Sequence, residues 1–188
     1  MNEIRISAPL LESDVLKLKA GDRVLISGTI ITARDAAHMR LLQLIKENKP
    51  LPIRLEGQVI YYAGPSPAPE GRPIGACGPT TSYRMDKLTP PLLARGLKGM
   101  IGKGDRSDDV IKCMVEFGAV YFAAVGGAGA LIASAVQAAE VIAFEDLGPE
   151  ALMALTVVDF PAFVAIDAKG ADMYRTEPIK YRRKKRGN

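Results

Sequence analysis

Hydrophobic positions along the chain change period again and again, and the changes predict alternating strands and helices. Val24 to Thr32 is apolar and β-branched, the pattern of a buried strand. Arg34-Asp35-Ala36-Ala37-His38 then opens a helix whose apolar positions Ala37, Leu41, Leu44 and Ile45 form one stripe, ended by Asn48 to Pro52. Gln58 to Tyr62 predicts a strand, and a Pro/Gly-rich loop follows from Gly64 to Gly78. A loop of that length in a compact domain points to a neighbouring site. After Gly78-Pro79, a helix is predicted to start at Thr80 or Thr81. Thr89-Pro90-Pro91 starts another, with Thr89 as N-cap and Pro90 in the first helical position. Gly99 to Ile101 predicts a short strand, and Ser107 caps a helix through Phe117. Val120 to Val125 reads as strand, Gly129 to Gln137 as helix and Val141 to Phe144 as strand. Two further strands, near Leu155 to Val158 and Phe163 to Ile166, complete an α/β alternation.

Composition narrows the class. A chain of 188 residues, 48% hydrophobic, suits one domain with a substantial core. Asn2, Glu3 and Arg5 leave no room for the apolar run of a signal peptide, so none is expected. The apolar window from Ala119 to Ala139 is interrupted by Gly126, Gly127 and Gly129 and reads as α/β core rather than a membrane span. Cys77 and Cys113 stand alone in sequence, which excludes a disulfide framework and makes a reducing cytoplasm the expected setting. The net charge of +4 belongs to the C-terminus. Lys180, Arg182, Arg183, Lys184, Lys185 and Arg186 supply six cations, and without them 19 basic residues face 21 acidic ones, a net charge of −2. The expected organisation is therefore a domain over 1–179 and a basic, disordered tail over 180–188. With no aromatic residue interleaved beyond Tyr181, no nucleic-acid partner is expected of that tail.

The candidate chemistry centres on Gly78-Pro79-Thr80-Thr81-Ser82-Tyr83-Arg84-Met85-Asp86. A helix starting here would offer free backbone N–H groups to an anion, with Arg84 one turn after Thr80 on the same side. Arg34 and Lys103 also stand at a strand end or a helix start, positions that gather at one rim of an α/β sheet. Arg34, Arg84 and Lys103 with Thr80 suit a small dicarboxylate, because guanidinium groups grip carboxylates in pairs of hydrogen bonds and lysine adds a point charge. Two glycine-rich segments fail as nucleotide signatures. Gly127-Ala128-Gly129 is followed by Ile132 where the dinucleotide fingerprint needs a small residue, and Gly102-Lys103-Gly104 lacks phosphate-loop spacing. His38 is the single histidine and reads as structural, with no metal-binding pattern around it.

Several of these segments, in this order, resemble the β-component of the iron–sulfur fumarate and tartrate hydratases. They are Thr32-Ala33-Arg34-Asp35-Ala36-Ala37-His38, Gly78-Pro79-Thr80-Thr81 with Arg84-Met85-Asp86, Gly102-Lys103-Gly104, Gly126-Gly127-Ala128, Glu145-Asp146-Leu147-Gly148 and Asp159-Phe160-Pro161-Ala162. Pro149, and Ser82-Tyr83 in place of Ala-Gly, depart from the pattern without touching the candidate residues. The resemblance implies a swivelling β/β/α domain, with a mixed or barrel-like sheet flanked by helices. It implies a hydro-lyase of the tricarboxylic acid cycle that interconverts fumarate and malate, or a tartrate dehydratase. By the same resemblance Arg34, Arg84 and Lys103 bind the substrate carboxylates and Thr80 serves proton transfer. A 4Fe–4S cluster is then ligated by a separate α subunit, its open iron acting on the substrate hydroxyl, in a heterotetramer or larger assembly. A non-catalytic dicarboxylate-binding or scaffold module is the alternative of another class.

Overall fold

The computed structural model describes residues 3–180. The tail from 181 to 188 lies outside the described residues, and Lys180 closes the last helix. In chain order the elements begin with β1 (Glu3–Ala8), α1 (Glu12–Val15), β2 (Arg23–Thr32), α2 (Asp35–Lys46) and β3 (Val59–Tyr61). A 3-10 turn (Ser82–Leu88) leads to α3 (Pro90–Leu93), β4 (Gly99–Gly102), α4 (Asp108–Phe117), β5 (Val120–Ala123) and α5 (Gly129–Ala133). The chain ends with β6 (Val136–Ala143), a second 3-10 turn (Glu145–Glu150), β7 (Leu152–Ile166) and α6 (Met173–Lys180).

β2, β3, β4 and β5 lie side by side and parallel. β7 runs antiparallel to both β5 and β2, which closes the five strands into a barrel-like sheet. β1 extends β2, and β6 extends β7. Strand periodicity divides the core in two. Val59, Tyr61, Ile101, Val120 and Phe122 join Val24, Ile26, Phe160 and Val164 in one buried cluster inside the barrel. The alternate residues Ile60, Tyr62, Met100 and Tyr121 belong to a second cluster with Leu41 of α2, Leu92 and Leu93 of α3, and Val110 and Met114 of α4. The parallel strands are thus apolar on both faces, as the continuous apolar runs in the sequence require.

Three local expectations need correction, and a fourth is refined. The segment Gly129 to Gln137 is helical only to Ala133, and Val136-Gln137 already belongs to β6. The two strands expected after Leu155 are one. Val158-Asp159 forms a bulge against Ser27, with the Asp159 amide donating to the Ser27 hydroxyl at 3.1 Å and its φ at 53°. Pro161 sits where the other edge of β7 has passed β6 and not yet met β5, so its missing N–H disrupts no ladder there. Thr89 holds the N-cap position of α3 with Pro90 first in the helix, but its hydroxyl caps no amide of α3 and donates back to the Met85 carbonyl at 2.8 Å. Finally, the residues after Pro79 form no α-helix. Thr81 is extended, and the 3-10 turn begins at Ser82.

Candidate active site

Parallel strands deliver their C-terminal ends to the same rim, and the loops leaving β2, β3, β4 and β5 meet there. Arg34 follows β2 and Lys103 follows β4 directly. Thr80 arrives from the long loop after β3 and is fixed by backbone bonds on both sides. Its amide donates to the Tyr62 carbonyl at 2.6 Å, and its carbonyl accepts from the Lys103 amide at 3.2 Å. The Ser82 amide donates to the Lys103 carbonyl at 2.9 Å, completing a short parallel bridge between Thr81 and Lys103. The expected open N–H groups are therefore spent, that of Thr80 on Tyr62 and that of Ser82 on the bridge, and no helix N-terminus presents them to an anion. What the bridge does instead is place Thr80 beside Lys103.

Close packing at two glycines holds this geometry. A Cβ at Gly102 would come within 2.0 Å of the Ser82 hydroxyl oxygen and 2.9 Å of the Tyr62 ring. A Cβ at Gly64 would meet Nη1 of Arg34 at 2.8 Å and the Pro149 carbonyl oxygen at 2.9 Å. The glycine loop after β5 also packs here: Cys77 donates its amide to the Gly129 carbonyl, and Gly126 lies alongside the Lys103 stem.

The three cations are not equivalent. Arg34 donates from Nη2 to Glu150 at 3.1 Å, and the same carboxylate accepts the Ala36 amide at 2.9 Å, capping α2 from another element. Arg84 lies 3.1 Å from Asp35, which also stands 3.9 Å from Nε of Arg34. Asp35 thus sits between the two guanidinium groups. Lys103 is exposed and has no ion-pair partner among the described residues. Sequence reasoning missed Asp35 and Glu150 as partners. Asp35 had a local signal, being adjacent to Arg34. Glu150 had none, because it is 116 positions from the arginine it holds.

Beneath the rim lies a buried polar network. The Arg106 side chain is fully buried between the rings of Tyr62 and Tyr121, with its guanidinium carbon 5.3 and 5.2 Å from their centroids. Its Nε donates to Asp86 at 2.7 Å, Nη2 to the Thr89 hydroxyl at 2.9 Å and Nη1 to the Tyr62 hydroxyl at 3.2 Å. Burial opposes its charge, but Tyr62, Asp86 and Tyr121 more than offset this and raise its pKa above the ordinary value. His38 is buried edge-on to Tyr62, with ring centroids 5.4 Å apart. Its Nδ1 donates to the Arg34 carbonyl at 2.9 Å, and Nε2 has no hydrogen-bond partner among the described residues. Burial pulls its pKa down to about 4, so the ring is neutral at pH 7. A cavity of about 610 Å³ beside this network is lined by Tyr83, Asp86, Lys87, Asp105 and Arg106 among others, and by none of the four candidate residues.

Neither cysteine fits a metal cluster. Burial pushes the Cys77 thiol up to about 12, and Cys77 packs in the barrel interior. Cys113 belongs to α4 and packs against the other cluster. A thiolate ligand needs the opposite shift and further thiolates at hand. Among the described residues no helix is long and apolar enough to cross a membrane.

Comparison with known proteins places this rim in context. The chain is 37% identical to fumarate hydratase 1, mitochondrial, of Leishmania major over 91% of its length, which is 32% of that protein. It is 36% identical to the anaerobic class I fumarate hydratase of Escherichia coli, again over 92% of this chain and 32% of the relative. The chain therefore spans about a third of the length of these fumarate hydratases. A protein assigned as the L(+)-tartrate dehydratase subunit beta of Methanocaldococcus jannaschii is 37% identical, with 88% of each chain covered. The family model of the fumarase C-terminus matches residues 1–177. By that match over nearly its whole length, this chain belongs to the fumarase C-terminus family.

Proposed function

We propose that this chain is the β component of a two-component iron–sulfur hydro-lyase that adds water reversibly to fumarate. The observation that carries the reading is the Thr81–Lys103 bridge. It joins a hydroxyl and an unpaired ammonium at the rim where Arg34 and Arg84 also arrive. Three cations against Asp35 and Glu150 leave a surplus of one positive charge, suited to attracting a dianion. In this reading Lys103 takes one carboxylate as a point charge. Arg34 and Arg84 offer their remaining N–H groups to the other, while Asp35 and Glu150 keep the two forks oriented. Thr80 moves a proton at the adjacent carbon. A threonine hydroxyl is a weak acid, so Lys103 beside it and a base from the partner complete the relay.

The 4Fe–4S cluster of such an enzyme does not fit the cysteines of this chain, so it belongs in this proposal to a separate α component. The likeness to a relative named as a subunit beta supports that division of labour. A heterotetramer in the cytoplasm is the corresponding assembly. The same relative favours a second reading, tartrate dehydration, on a substrate that differs by one hydroxyl. The test is anaerobic co-expression with a cluster-bearing partner, followed by assays with fumarate and with tartrate. Turnover by the pair and not by either chain alone is the expected result. Binding of a dicarboxylate without turnover, despite an intact cluster, would turn the reading to a non-catalytic module.

A further inference from the structure

We infer that Arg106 is the positioning residue of the rim, a buried clamp that holds the segments carrying Thr80, Arg84 and Lys103 in mutual register. The catalytic part of this inference rests on the functional reading above; the structural part stands without it. Arg106 is 2% exposed, and among the described residues none of its hydrogen bonds goes to the four candidate residues. Its bonds go instead to the elements that carry them.

Thr80 hangs by its amide from the carbonyl of Tyr62, whose ring and hydroxyl both meet the Arg106 guanidinium. Arg84 lies two residues before Asp86 in the same 3-10 turn, and Asp86 is bound from two directions. Its Oδ1 takes Nε of Arg106, and its Oδ2 takes the Ser107 amide at 2.7 Å. Lys103 lies three residues before Arg106, in a loop secured by Tyr121. The Tyr121 hydroxyl donates to the Gly104 carbonyl at 2.8 Å and meets the Ser82 hydroxyl at 2.8 Å, while its ring centroid lies 5.2 Å from the Arg106 guanidinium carbon. Nη2 reaches Thr89 at the start of α3, and Nη1 also approaches the Met100 sulfur of β4 at 3.4 Å. On the far side of Tyr62, His38 continues the chain of contacts to the Arg34 carbonyl.

Only a planar, five-donor cation makes these bonds while lying between two aromatic rings. Lysine keeps the charge but concentrates its donors at one point, so it cannot serve Asp86, Thr89 and Tyr62 together. Arg106→Lys therefore separates charge from geometry, and Arg106→Met removes both.

The experiment has two readouts. Amide hydrogen exchange on this chain is followed by mass spectrometry for the wild type, Arg106→Lys, Arg106→Met and Asp86→Asn. Turnover is measured on the assembly with the cluster-bearing partner. The clamp predicts faster exchange at 80–86 and 102–107, with β2 and β7 keeping their protection. It also predicts that Arg106→Lys lowers kcat about 100-fold, the scale of a misplacement near 1 Å, with a smaller rise in KM. Exchange accelerated evenly throughout, or kcat per folded molecule equal to wild type, would overturn it. If Arg106→Met fails to fold, the lysine and asparagine variants carry the same comparison. The exchange pattern decides the clamp even where the wild-type assembly turns over neither dicarboxylate, a result that would count against the functional reading alone.

Discussion

In the parallel half of the barrel, β3, β4 and β5 are three or four residues long and end together; in the antiparallel half, β7 alone runs for fifteen. The C-terminal ends of these three strands and of β2 deliver four loops to one rim, and every candidate residue sits on those loops. The long strand pairs with β2, β5 and β6 and closes the barrel, and it supplies the rim only indirectly, through Glu150 just before it. The candidate residues are placed by where strands end, and cohesion by how far they run. Substitutions in the two halves should accordingly separate activity from stability.

The largest separation is expected at Thr80. Thr80→Val keeps shape and volume, so the melting temperature should hold while kcat of the assembled enzyme falls by about 10²–10⁴-fold, the usual worth of a positioned proton-transfer group. Full turnover in that variant would remove Thr80 from the reaction. The converse is Phe160→Ala in β7. Phe160 is fully buried in the barrel interior, edge-on to Tyr61 at 5.2 Å, and its truncation should cost about 3–5 kcal/mol in urea unfolding. The KM of the folded fraction should not change; a large rise would show that the two halves are not separable.

A third test uses pH. His38 is fully buried, and the fold holds it neutral down to about 4, whereas an unfolded chain protonates near the ordinary 6.5. Between those values the unfolded state binds the extra proton, so stability is complete above about 6.5 and declines as pH falls toward 4. Asp35 opposes this shift and Arg106 reinforces it. The loss should reach about 3 kcal/mol, and His38→Gln should flatten that part of the stability–pH curve. An unchanged slope would mean that other groups set the acid limit. The smallest effect is expected at Arg40, whose two bonds to Asp146, each 2.7 Å, lie at the exposed edge of α2. Arg40→Met should leave the denaturation midpoint without a resolvable shift, since solvent screens such a pair.

The two halves also differ in how readable they were from the sequence. β2 to β5 are apolar runs followed by glycines or charged residues, and period alone located each of them. β6 and β7 were misjudged for physical reasons. Ala133 to Ala139 is small and ambiguous between periods, and Asp159-Phe160-Pro161 looks like a break although a bulge carries the strand through. At the candidate site, Arg34, Thr80, Arg84 and Lys103 were legible as candidates in the motifs, and their arrival on loops at one rim followed from parallel topology. Their partners were not legible there. The pairing of Arg34 with Glu150 and of Arg106 with the Tyr62 ring links residues far apart in sequence, and only the folded chain brings them together. The local geometry of Thr80 was misread because a backbone bridge competes with helix capping, and both begin from the same Gly-Pro turn.

The bridge between Thr81 and Lys103 has one more consequence. Since it is made of peptide groups, the spacing between the main chain at Thr80 and the main chain at Lys103 is a ruler engraved in the backbone, indifferent to which side chains surround it. The long loop that leads to Thr80 is stapled near both ends, by Ser66 to Ala76 and by the Tyr61 hydroxyl to the Cys77 carbonyl. Residues 67–73, largely exposed between those staples, can therefore lengthen, shorten or change in composition while the ruler keeps its scale.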